Sequence, residues 1–541
     1  MSTSGAGRAA LALLGLSGLL LVAFATRWGP WAFSDGAGYL MLARNLLLGR
    51  GLGLWRASGE FQPLSLHPPL FPLTLAAVGL AGADLIQIAR WLNAALFGIT
   101  IVFAGGLVYR AARRWWLAAC ASLAVLAAPL LVYLFSGAMS EPLFFVLTLG
   151  TLLALQEYTR RAERKRLVVA GITTGLAILT RYPGVALLAP GLVAVVASSA
   201  KDWKRRAIDG ALYLGVASAP VLAWLGWVNA QPGADPPRQW TWDLSGLPSR
   251  VRPVIEGVGQ ALWDWLPFTT WAAGLPTWVK QGVLALLGMV VVGLTGFAVL
   301  RLRRGLPGAW RRDPSIQLIA LLGAFILGYL GQLTVTYLFT APVLDPSDID
   351  QRILAPVLLI GGLMLFGLAE LLIKSAPARR WVAYVPAGVA LVYAGWFLPQ
   401  GWNIASGLNQ AGGGYTSRSW QSSPTIAALR SLPADTPVIT NESAGVMLWL
   451  DRPAYDLPLR PESDPDSALI RFGDGHGELD QVFREDGAAL AVFNSISGQL
   501  AERYGEQAAG ARLAELTQGL ELFARLDDGE VFFYPIAGES E

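Results

Sequence analysis

The chain is 541 residues long, 54% hydrophobic and only 15% charged, with a mean hydropathy of +0.47. A soluble globular chain carries roughly 25% charged residues; here the apolar residues come in long blocks, which excludes a soluble enzyme and leaves a polytopic membrane protein. The net charge of +3 says little by itself, because the position of the basic residues matters more; no nucleic-acid partner is expected, and the single cysteine, Cys120, excludes a disulfide or a cysteine-ligated metal within these residues.

In chain order, apolar blocks run over 9–26, 85–109, 115–135, 139–155, 167–180, 183–199, 210–230, 281–300, 316–339, 353–373 and 381–398, eleven in all. The first lacks a small-residue cleavage site and reads as an uncleaved helix. A further piece, HPPLFPLTLAAVGLAG from His67, is short and opens with two prolines, so it is expected as a re-entrant or interfacial helix. A single helix through Arg181 is excluded, because the charge would sit in mid-membrane and Pro183 would break the hydrogen-bond ladder. With eleven spans, the basic clusters at Arg110/Arg113/Arg114, Arg160–Arg166, Lys201–Arg206, Arg301–Arg304 with Arg311/Arg312, and Lys374–Arg380 all fall on the side of the N-terminus. By the positive-inside rule that side is the cytoplasm.

The opposite side then holds 28–84, a Trp-rich loop over 231–280, the loop 341–352 and everything after Pro399. The cytoplasmic loops are too short to hold a domain, so any chemistry is expected outside, where nucleotide-activated donors are lacking. The sequence divides into a membrane domain over 1–400 and a tail over 401–541. In the tail TPVIT, AALAVFN and EVFFYPI read as strands, ESAGVMLWL as a helix and GGGYTSRSWQSSP as a linker, giving a small extracytoplasmic α/β domain.

Several polar residues at the outer mouths of the spans could carry chemistry. Asp35 precedes Tyr39, Leu42 and Leu46 at helical spacing; it reads as an N-cap, or as a general base or metal ligand that activates a hydroxyl. Glu60 and His67 lie further along the same loop. His67 is either an interfacial histidine bonded to the loop or, with Asp35 and Glu60, a metal or phosphate contact, the ion being Mg2+, Mn2+ or Zn2+. Glu141, at the start of the fourth block, reads as an acid favoured by a helix N-terminus or as a site residue. Arg181 reads as a partner for Glu141 or as a ligand for a lipid phosphate. Arg352, behind Asp345, Asp348 and Asp350, reads as a snorkelling interfacial arginine or as a phosphate ligand. Trp240, Trp242, Trp263, Trp265, Trp271 and Trp278 crowd one outer loop as an interfacial belt, with some available to stack on sugars.

The order Asp-x-x-x-Tyr, His-Pro-Pro-Leu-Phe-Pro, Ser-Glu-Pro-Leu-Phe, Thr-Arg-Tyr-Pro-Gly and Gln-Arg-Ile-Leu-Ala-Pro resembles the GT-C superfamily of membrane glycosyltransferases over 9–398. The branch it resembles contains the protein O-mannosyltransferases and the aminoarabinose transferase of lipid A. The resemblance implies a GT-C-like bundle of about eleven spans with juxtamembrane helices in the first outer loop. It also implies transfer of a hexosyl or pentosyl group from a polyprenyl-phosphate donor to a protein, lipid or glycan hydroxyl. By position it makes Asp35 the first-loop catalytic aspartate, His67 with Pro68 and Pro69 the second juxtamembrane motif, and Arg352 the late arginine that approaches the donor phosphate. Gly36 stands where many relatives have a second acid, and His67 where the aminoarabinose transferases have lysine. The Trp-Trp-Asp signature of oligosaccharyltransferases is absent. A transporter or flippase would place polar residues at mid-span and repeat its halves; a non-catalytic scaffold would not need acids and arginines at the outer mouths.

Overall fold

The computed structural model describes residues 3–55, 60–65, 67–198, 202–231, 239–240, 247–267, 274–305, 313–341, 351–375, 384–457 and 478–535. The chain is a multi-pass helical membrane protein with a C-terminal sheet, and it forms two compact units. One comprises 1–27, 65–74 and 87–410; the other comprises 28–64, 75–86 and 411–541. The expected boundary at residue 400 lies inside the helix Val385–Ala411. Most of the expected first outer loop, 28–64 and 75–84, belongs with the tail, while 65–74 belongs with the membrane helices.

Among the described residues of the helical unit, six helices are long and apolar enough to cross a membrane: Gly5–Ala25, Leu85–Ala112, Glu141–Arg161, Trp203–Asn229, Pro314–Phe339 and Gln351–Ser375. The pair Trp115–Ala127 and Pro129–Phe135, bent by 65°, makes a seventh if taken as one span. Pro129 causes the break, since it cannot donate into the preceding turn. The four other expected blocks overlap Arg164–Thr180, Tyr182–Ala197, Thr277–Gly305 and Val385–Ala411, helical where they are described. Small residues bring helices close. Gly15 and Gly98 face each other so tightly that a Cβ on either would meet the other's carbonyl oxygen at under 3 Å. The core is continuous from Phe97, Phe135 and Phe145 through Leu187 to Phe325 and Ile360.

The Trp-rich stretch is not simply a loop. Leu247–Asp264 is an amphipathic helix, with Val254, Val258 and Leu262 packed on the core and the Arg252–Glu256 pair exposed. The 3.6-residue period of those apolar positions causes it. Of the tryptophans, Trp263 is buried and Trp278 is 74% exposed, while Trp242 and Trp271 lie outside the described residues, as do Asp345, Asp348 and Asp350.

In the second unit, Ser34–Leu47 is followed by a short hairpin, Gly53–Trp55 with Phe61–Pro63. The tail contributes a five-stranded sheet in the order Ala454–Asp456, Val438–Thr440, Ala489–Phe493, Gly529–Phe533, Glu521–Leu526. The first three strands are parallel and the last two antiparallel. Val438–Thr440 and Ala489–Phe493 are wholly buried, which is why they read as unbroken apolar runs rather than as alternating strands. The three expected strands and the helix Ser443–Leu450 are present; the edge strands Ala454–Asp456 and Glu521–Leu526 were not expected.

Candidate active site

Glu141 opens the helix Glu141–Arg161, with Pro142 in its first turn. An acid there is favoured by the unpaired amides of the helix N-terminus. Arg181 follows the helix Arg164–Thr180; its backbone is extended, and Pro183 keeps the helix from continuing. Arg352 is the second residue of Gln351–Ser375. Packing of these helices brings the three side chains together. Arg352 Nε donates to Glu141 Oε1 at 2.5 Å, and Arg181 Nη1 lies 2.7 Å from the same oxygen. Arg181 also donates to Ser140 Oγ at 3.4 Å.

Glu141 is 1% exposed, Arg181 18% and Arg352 31%. A buried acid is therefore met by two guanidiniums, and the three together carry one positive charge. Among the described residues, the second carboxylate oxygen, Glu141 Oε2, is buried and accepts no hydrogen bond. Asn93 supports the turn that leads into Glu141 by donating to Gly137 O at 2.5 Å. Gln351 Nε2 donates to Asp264 Oδ2 at 2.9 Å, tying the amphipathic helix to the residue beside Arg352. Sequence reading missed Asp264, Gln351 and Asn93; only the 3.6-residue period of 247–264 could have pointed to the first.

Asp35 does not cap its helix. Phe33 occupies the cap position of Ser34–Leu47 and makes no side-chain cap bond, while Asp35 stands in the first turn, half-buried. Its charge there meets the helix amides electrostatically. Tyr39, one turn on, is buried, and Glu60 is exposed beside Gln62, whose Nε2 is 3.4 Å from it. These three belong to the second unit; half-buried His67 belongs to the helical unit and precedes the ten-residue helix Leu70–Gly79. Among the described residues no group of three or more His, Cys, Asp or Glu side chains is placed to hold a metal ion.

The segment that leads into Asp35 is bound along its length. Ala32 pairs in parallel with Gly414, Tyr415 N donates to Ala32 O at 2.7 Å, and Thr416 Oγ1 donates to Pro30 O at 2.5 Å. Tyr415 Oη in turn donates to Glu442 at 2.8 Å. Burial, with the Glu442 carboxylate beside it, raises the Tyr415 phenol well above its ordinary pKa, so it stays a proton donor.

A family model described as dolichyl-phosphate-mannose-protein mannosyltransferase matches residues 66–227, a span that holds His67, Glu141 and Arg181. The structure of ArnT from Cupriavidus metallidurans bound to undecaprenyl phosphate is similar over 96% of this chain and 97% of that one, at 17% identity and a TM-score of 0.51. The oligosaccharyltransferase of Archaeoglobus fulgidus, in its apo form, is similar over 98% of this chain and 75% of that one, at 12% identity and a TM-score of 0.50. The chain therefore shares its fold with these two structures. No curated protein matches it in sequence. The span matched by the family model covers two members of the Glu141 cluster and neither Asp35 nor Arg352.

Proposed function

We propose that this chain is a glycosyltransferase that moves a hexosyl or pentosyl group from a polyprenyl-phosphate donor to a hydroxyl of a protein, lipid or glycan. The observation that carries this reading is the convergence of Arg181 and Arg352 on one buried carboxylate, which leaves the cluster one positive charge. Arginine suits a phosphate because its planar fork of donors matches the oxyanion geometry. The GT-C fold, and the undecaprenyl phosphate held by the similar ArnT structure, support the same donor class.

In the proposed reaction Asp35 takes the proton from the acceptor hydroxyl. The oxygen forms a bond to the anomeric carbon as the bond from that carbon to the phosphate oxygen breaks, and the electron pair leaves with the polyprenyl phosphate. Arg181 and Arg352 stabilise the charge that grows on the phosphate. An in-line displacement inverts the anomeric carbon. The basic helix ends face the cytoplasm, and transfer occurs on the opposite side of the membrane.

The test is Asp35→Asn and Arg352→Ala in proteoliposomes, with a panel of radiolabelled undecaprenyl-phosphate hexoses and pentoses. Asp35→Asn is expected to abolish transfer and to leave undecaprenyl phosphate binding intact. Arg352→Ala is expected to weaken that binding about 10- to 100-fold, the value of a hydrogen bond to a charged group. Full transfer by Asp35→Asn would overturn the base assignment; unchanged binding by Arg352→Ala would overturn the phosphate assignment.

A further inference from the structure

The sequence presents residues 412–424 as a linker, yet they are bonded on both sides within the second unit. From the N-terminal side, Trp28 O accepts from Gln421 Nε2 at 2.5 Å, and the Arg418 guanidinium lies 5.5 Å from the centre of the Trp28 ring. Pro30 O and Ala32 O accept from Thr416 and Tyr415, and Ala32 N donates to Gly413 O at 3.4 Å. Helix Ser34–Leu47, with Asp35 in its first turn, begins two residues after Ala32. The strap is itself fastened to the tail: Trp449 Nε1 donates to Tyr415 O at 2.7 Å, and Gly445 packs under Tyr415 and Trp420.

The far end of the same helix is held as well. Arg44 donates to Leu448 O at 2.8 Å, one of the carbonyls in the last turn of Ser443–Leu450, and to Met447 O at 2.9 Å, which also accepts from Asp451 N. Its Nε lies 3.2 Å from Asp451, which also takes both Nη atoms of Arg50. One chain position is decisive for the strap. Gly414 has φ +58°, and a Cβ there would sit on the Ala32 carbonyl oxygen. Only glycine allows the backbones to approach this closely.

We infer that the C-terminal domain is the positioning device for Asp35, fixing both ends of its helix through the Gly412–Gln421 strap and the Arg44–Asp451 tie. This rests on the proposed role of Asp35 as the base. A catalytic group displaced by about 1 Å costs on the order of 100-fold in rate. The tail thus acts on the rate of transfer rather than on donor binding.

The experiment uses the full chain in nanodiscs, with Gly414→Ala and, as a milder variant, Thr416→Val. Amide hydrogen exchange is followed over residues 28–47, with protection over 489–493 reporting that the tail sheet is still folded. Undecaprenyl phosphate binding and kcat for the radiolabelled donor panel are measured alongside. The expected result is faster exchange over 28–47 in both variants, unchanged binding, and kcat reduced about 100-fold in Gly414→Ala and less in Thr416→Val. Unchanged exchange over 28–47 in both variants overturns the inference, as does faster exchange with full kcat while Asp35→Asn is inactive. If Asp35→Asn is fully active, the base reading fails, and the strap stands or falls on the exchange result. Should Gly414→Ala lose protection over 489–493, Thr416→Val decides.

Discussion

Glu141 meets both arginines through one oxygen, although Arg181 lies 40 positions from it and Arg352 lies 211. Its removal would leave two guanidiniums facing each other with no anion between them. Breaking a buried pair costs about 3–5 kcal/mol, and the partial exposure of the arginines puts Glu141→Ala near the lower figure. We expect Glu141→Ala to melt well below the parent in detergent, and undecaprenyl phosphate to raise its Tm more than the parent's, because the phosphate supplies the missing charge. Equal stabilisation of both proteins by the lipid would show that its phosphate binds elsewhere. Each of the three residues was visible in the sequence as a polar residue beside an apolar block. Their meeting was not, since the Glu141–Arg181 pairing was only one of two readings and nothing tied Arg352 to either. For Asp35 the sequence pattern suggested a cap, and the cap lies two residues earlier, at Phe33. A two-residue difference of this kind is beyond what apolar spacing resolves.

Helices are fastened differently at their two ends. Near the other end of Glu141–Arg161, about 26 Å away at 1.5 Å per residue, the buried Asp209 accepts from Tyr158 Oη at 2.7 Å and from Arg164 Nε at 2.7 Å, with Arg205 at 3.9 Å. It joins three helices where their basic ends emerge. Asp209→Ala is expected to lower stability by about 2–3 kcal/mol, below the range for a fully buried pair because the arginines are half exposed. Undecaprenyl phosphate affinity should be unchanged, since the Glu141 cluster is remote. Reduced affinity without reduced stability would contradict this division of roles. At this scale the sequence was most informative. Apolar blocks became helices, and TPVIT, AALAVFN and EVFFYPI contain strands of the buried sheet. The misses share a cause. Leu247–Asp264 lay in a stretch crowded with tryptophan that masked its helical period. Glu521–Leu526, largely exposed at the sheet edge, carries no apolar run.

For the whole molecule, the basic residues from Arg160 to Arg166 and from Lys204 to Arg206 set the expected orientation. Alkaline phosphatase joined after Glu541 should be active in cells and a green fluorescent protein joined there dark; the reverse pattern would place the tail in the cytoplasm and exclude the proposed side of reaction. The sequence by itself determined that the chain is a multi-pass membrane protein, roughly where its helices lie, and which polar residues flank them. These are local properties, because burial in lipid or in a sheet demands a run of apolar residues whatever lies elsewhere in the chain. Only the tertiary structure decided that most of the first outer loop belongs with the tail, that a linker-like stretch is a strap on Ala32, and that Glu141 gathers two arginines. Each depends on residues far apart in sequence whose pairing is fixed by helix packing and backbone approach, and such pairings leave no period for a sequence to display.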